Sequence, residues 1–127
     1  MTEAMADRAP NEADSILRPA SDAALAEIVR EAAGGRTPLE TFGGGSKPDL
    51  AGPVTASARI ALDRLSGIVA YEPAELVLTA RPGTPLREIT TLLDEHNQML
   101  AFEPPDWTEL LGTGGTVPTL GGAIACN

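Results

Sequence analysis

The sequence predicts a mixed fold of the α/β or α+β kind, and three observations carry that reading. Helix-period and strand-period stretches alternate along the chain. Short segments rich in turn residues separate them. The glycines gather in two loops about 70 residues apart.

The first helix is predicted from Ser21 or Asp22 as cap, with Leu25, Ile28, Val29 and Ala32 at helical spacing and Gly34 as its end. A short strand from Pro38 to Phe42 then enters Gly43-Gly44-Gly45-Ser46-Lys47, and a loop punctuated by Pro48, Asp49, Gly52 and Pro53 follows. Ile60 to Asp63, Gly67 to Tyr71 and Leu76 to Ala80 alternate as strands, the last two separated by residues 72–75. The turn at Pro82-Gly83 leads to Thr84 as an N-cap with Pro85 at the first helical position. Leu86, Ile89 and Leu93 form that helix's apolar face, and Asn97 suits a left-handed C-terminal position. Gln98 to Phe102 reads as a further strand closed by Glu103-Pro104-Pro105. Beyond it lies a glycine-punctuated loop and the start of an apolar segment. Residues 1–16 read as a disordered lead-in and 17–127 as structured.

A chain of 127 residues has room for one domain. With 43% apolar but only 3% aromatic residues, its core must rest on Leu, Ile, Val and Ala. The net charge of −9 argues against nucleic acid or an anionic membrane surface as partner. Six acidic residues and no Lys or Arg lie between Glu88 and Asn127. A phosphate bound by that half must be held by backbone N–H groups or by basic residues from elsewhere. Cys126 and His96 are each the only residue of their type, so no disulfide framework or metal site is expected. No apolar run approaches the ~20 residues of a membrane span, and Met1 to Ser15 lacks the features of a signal peptide. The expected compartment is the cytoplasm.

Three places could carry chemistry. In Gly43-Gly44-Gly45-Ser46-Lys47, three glycines let consecutive N–H groups converge on an anion, with a hydroxyl and an ammonium beside them; the same residues also suit a plain flexible turn. The order Ser-Lys-Pro excludes a P-loop, and the spacing excludes the G-x-G-x-x-G dinucleotide fingerprint. Gly112 to Thr116 together with Thr119-Leu120-Gly121-Gly122 form either a second ligand loop or a surface loop. Two such loops could face each other across one elongated dinucleotide. Glu103, near the lone Trp107, is either a ligand-facing carboxylate or a strand terminator. No Ser/His/Asp set, metal cluster or carboxylate pair can be assembled.

The stretch Gly67 to Leu86, followed by Gln98 to Pro105, resembles the FAD-binding E subunit family of bacterial glycolate oxidase (glycolate dehydrogenase), within the vanillyl-alcohol-oxidase-type flavoprotein superfamily. The similarity runs from about Leu17 to Asn127. It implies an α+β fold, the first part of a two-lobed FAD-binding domain with short parallel and mixed strands and flanking helices, truncated at its C-terminal end. It implies that Gly43, Gly44, Gly45, Ser46 and Lys47 line the pyrophosphate. Thr119, Leu120, Gly121 and Gly122 would lie along the ribityl and pyrophosphate portion, and Pro82, Gly83 and Thr84 beside the cofactor. The first glycine loop has no histidine, so the FAD is expected to be non-covalent.

The activity implied is oxidation of glycolate, a small 2-hydroxy acid, with hydride passing to FAD and electrons to partner subunits, a second flavin subunit and an iron–sulfur subunit. Association at the inner membrane would come through those partners. Catalytic residues are expected in a partner or beyond Asn127, and the isolated chain is expected to be inactive. A relative acting on another 2-hydroxy acid or alcohol, or an inactive truncated product, is the alternative. The insert at residues 113–118 is longer than the family pattern, which leaves the register of the second loop open.

Overall fold

The computed structural model describes residues 16–46, 55–104 and 108–126. Three short strands, β1 (Ile16–Leu17), β2 (Leu39–Phe42) and β3 (Ala58–Ala61), form a parallel sheet in the order β1-β3-β2. Parallel neighbours need a crossover, and helix α1 (Asp22–Gly35) supplies the one between β1 and β2. The link from β2 to β3 contains the first glycine loop. An antiparallel pair follows, β4 (Ile68–Glu72) and β5 (Val77–Ala80), joined by a single 3-10 turn at Pro73–Glu75. Helices α2 (Leu86–Glu95) and α3 (Leu120–Ala125) complete the chain. These mixed helices and small sheets agree with the α+β expectation.

The core is small and aliphatic, as the composition requires. Ile60 and Ala61 of β3, Leu65 just beyond it, and Leu86, Ile89 and Leu93 of α2 are its buried apolar residues. The last three are the face that helical spacing selects. None of the residues of α1 is fully buried, and Val29 is exposed. Arg18 pairs with Asp63, and Asp22 of α1 lies 3.8 Å from Arg81. Exposed ion pairs of this kind add little stability.

Several boundaries differ from the sequence expectation. Ser21 caps α1 as expected, its hydroxyl accepting the Ala24 N–H at 3.2 Å. The helix runs through Gly34 and Gly35, and the left-handed terminator is Arg36, at φ 51°. Its N–H closes on the Ala32 and Ala33 carbonyls, so backbone bonding rather than glycine placement ends the helix. Ile16 belongs to β1 rather than to a disordered lead-in; residues 1–15 of that lead-in lie outside the described residues. The strand expected at Ile60 to Asp63 is Ala58–Ala61, set by its register with β2. Asn97 is left-handed, at φ 54°, as expected.

Two corrections are larger. Gln98 to Phe102 is not a strand. A strand exists only with a ladder partner, and here side chains tie the segment down: the Tyr71 hydroxyl donates to Gln98 Oε1 at 2.6 Å, and Gln98 Nε2 donates to the Pro73 carbonyl at 2.8 Å. The tail expected as loop and apolar segment is instead helical at Leu120–Ala125. Thr119 caps it, accepting the Gly122 N–H at 3.3 Å.

Candidate functional site

The three glycine-bearing segments, far apart in sequence, are brought together. The turn at residues 82–84 and the loop at residues 118–121 are joined by backbone bonds: Leu86 N–H to Pro118 O, Leu120 N–H to Thr84 O and Gly121 N–H to Pro82 O, each 2.9 Å. Pro85 and Thr119 form the antiparallel bridge between them. The first glycine loop packs against the same assembly. A Cβ on Gly43 would lie 2.2 Å from Thr119 Oγ1, and one on Gly44 would lie 1.6 Å from the Val117 carbonyl oxygen. Glycine at these two positions is therefore required by the protein's own packing.

Thr84 does something other than cap a helix. It is fully buried, and its hydroxyl accepts the Gly67 N–H at 2.9 Å while facing the Arg81 and Gly67 carbonyls at 2.7 and 3.1 Å. Pro85 occupies the cap position of α2, with no side-chain bond. Gly83 is buried as well: its N–H donates to the Leu65 carbonyl at 2.7 Å, and a Cβ there would lie 2.1 Å from the Leu62 carbonyl oxygen. Gly83 thus ties the turn to the segment just after β3, and Thr84 ties it to Gly67, just before β4.

A cleft of about 270 Å3 opens between the first glycine loop and α3. Of the twelve positions singled out in the sequence, Gly43, Gly44, Gly45, Ser46, Thr119 and Gly122 line it. Pro82, Gly83, Thr84, Leu120 and Gly121 do not, and Lys47 lies outside the described residues. Among the described residues, no recorded hydrogen bond uses the N–H of Gly43, Gly44, Gly45 or Ser46. Gly45 takes φ 69°, the left-handed turn that lets successive N–H groups converge. Unspent donors beside a cleft suit a phosphate group.

The segment at residues 113–118, expected as an insert, packs onto that loop. Thr113 Oγ1 donates to the Ser46 carbonyl at 3.1 Å, Thr116 Oγ1 donates to Thr113 O at 2.7 Å, and Val117 closes on Gly44. These residues thus connect the second glycine loop to the first.

Sequence reasoning missed Arg59, which also lines the cleft. Its Nε donates to Glu40 Oε2 at 2.6 Å, and its guanidinium carbon sits 4.6 Å from the Phe42 ring centre. The alternation within β3 put Ile60 inward and so Arg59 on the other face. Only the pairing of β3 with β2 brings that face to Glu40 and the glycine loop.

A second groove of about 510 Å3 lies against Leu86, Met99, Leu100, Phe102 and Pro118, with Arg87 and Glu103 on its wall. Trp107 lies outside the described residues. Among the described residues no group of three His, Cys, Asp or Glu could hold a metal ion, and no helix is long and apolar enough to cross a membrane.

Comparison with known proteins gives the family. The chain is 43% identical over 103 residues to the glycolate oxidase subunit GlcE of Escherichia coli (strain K12), a match covering 81% of this chain and 27% of that protein. The chain thus spans about a quarter of the length of the curated relative it matches. Residues 13–127 match the model of the FAD binding domain. With that match over residues 13–127 and the mixed α+β frame, the chain belongs to the FAD binding domain family.

Proposed function

We propose that this chain is the front of the FAD-binding domain in a subunit of a glycolate-oxidising complex, with the cofactor held non-covalently in the cleft. The observation that carries the reading is the 43% identity to a glycolate oxidase subunit over 81% of this chain. The donor set fits the group. Gly43, Gly44, Gly45, Ser46 and Lys47 would hold the pyrophosphate through N–H, hydroxyl and ammonium donors. Thr119 and Gly122 would hold the adjoining portion from the facing wall. Pro82, Gly83, Thr84, Leu120 and Gly121 would hold the loops in place. When bound, FAD supplies the two-electron acceptor chemistry.

In the proposed reaction glycolate becomes glyoxylate, losing a hydride from its carbinol carbon and a proton from its hydroxyl. Electrons then pass to partner subunits, a second flavin subunit and an iron–sulfur subunit, in the cytoplasm or at the inner membrane through those partners. The isolated 127-residue chain is proposed to be inactive, the catalytic groups lying outside it. The test is purification of the full-length gene product with its co-expressed partners, followed by flavin absorbance and glycolate-dependent reduction of a dye. A flavin spectrum with glycolate turnover is expected. A colourless complex would sink the cofactor assignment, and a yellow complex that reduces dye only with another 2-hydroxy acid would sink the substrate.

A further inference from the structure

We propose that Arg59 is a cofactor-positioning residue, its guanidinium gripping a phosphate oxygen of FAD from the floor of the cleft. The inference rests on the proposed placement of FAD and goes beyond it, because Arg59 lies outside both glycine loops. Among the described residues lining the cleft, Arg59 is the only cation and Glu40 the only acid. The facing wall, Pro118 to Cys126, belongs to a half of the chain with no Lys or Arg after Arg87. A dianionic pyrophosphate there has one described cation within the cleft to meet it.

The arginine is also held ready. Glu40 occupies Nε, and the Phe42 ring lies under the guanidinium plane. Among the described residues the Nη1 and Nη2 groups have no recorded partner. That leaves the outer edge of the fork, the edge that meets a phosphate with two parallel bonds. A side chain fixed on two sides loses less rotamer freedom on binding than a free one. Glu40 cancels the net charge nearby, so the grip comes from directed bonds more than from bulk attraction.

The full-length gene product is stripped of flavin and titrated with FAD by fluorescence quenching, with melting of the apo form as the folding readout. Arg59→Met raises the Kd for FAD by about tenfold or more, the loss expected for charge-assisted hydrogen bonds. Arg59→Lys raises it by a smaller factor, since an ammonium keeps the charge and loses the fork. Glu40→Gln removes a carboxylate from the wall and leaves Kd unchanged or lower. If Arg59→Met fails to fold, the other two variants decide the matter. An Arg59→Lys protein with wild-type Kd overturns the proposal. So does a Glu40→Gln protein weakened as much as the arginine variants, which would make the pair a structural tie. Wild-type apoprotein that binds no FAD would instead sink the cofactor site itself.

Discussion

Thr119 Oγ1 fills the place where a side chain on Gly43 would have to go: a Cβ there would fall 2.2 Å from the hydroxyl oxygen and 3.3 Å from Thr119 Cβ. One contact thus locks the first glycine loop to the cap of α3. Gly43→Ala is expected to destabilise the full-length protein by about 1–3 kcal/mol, the usual cost of overpacking. Thr119→Ala loses the cap, about 1 kcal/mol. The double variant should be more stable than the sum of the two, since removing the hydroxyl relieves the clash. Urea unfolding of the four proteins checks it, and strict additivity would deny the contact.

Gly44 and Gly45 should separate cleanly. A Cβ on Gly44 meets the Val117 carbonyl, which is backbone and cannot swing aside, whereas one on Gly45 meets nothing within 4 Å and suffers only from φ 69°. Gly44→Val, and even Gly44→Ala, should abolish flavin retention, with α2 still formed. Gly45→Ala should cost about 1–2 kcal/mol, and Gly45→Asn less. Flavin content per polypeptide reads the difference. A Gly44→Val protein with full flavin would show that the loop does not seat against Val117.

Thr84 tests whether its segment touches cofactor or only holds the frame. Thr84→Val keeps the shape, leaves the half-buried Gly67 N–H without its acceptor and removes the donor to the Arg81 carbonyl from a fully buried site, for a loss of about 1–3 kcal/mol. Thr84→Ser should recover most of it. In conditions where both variants are folded, their FAD affinity should match wild type. A weakened Kd in stable Thr84→Val would mean that the hydroxyl serves the ligand.

The loop Gly43 to Lys47 contains no histidine or cysteine to form a bond with flavin. The full-length protein should therefore release its FAD into the supernatant on acid precipitation. Yellow colour remaining with the precipitated polypeptide would overturn the non-covalent assignment.

Much of the frame was legible because it is written in local periodicity. Leu86, Ile89 and Leu93 announce one helix face, and Leu25, Ile28 and Ala32 another. Gln98 to Phe102 misled for the opposite reason. Its short apolar run before Glu103-Pro104-Pro105 suits a strand, but strand formation depends on a ladder partner elsewhere, and Tyr71 and Pro73 engage the Gln98 side chain instead. Thr84 misled because a threonine before proline looks like a cap, while its bond to Gly67, 17 residues away, is supplied by folding.

The sequence by itself determined which residue types could meet a phosphate: bare glycines, small hydroxyls and a half-chain without cations. It also determined the aliphatic core and the mixed class, since composition and spacing are local properties. The tertiary structure decided which glycines face a cleft and which are consumed by packing. Gly43 and Gly44 touch residues 117 and 119, some seventy positions away, and Gly83 touches Leu62. It also decided that Arg59 reaches the cleft, through the register of β3 beside β2. Close approach between distant backbones depends on how elements pack, and no spacing along the chain encodes it.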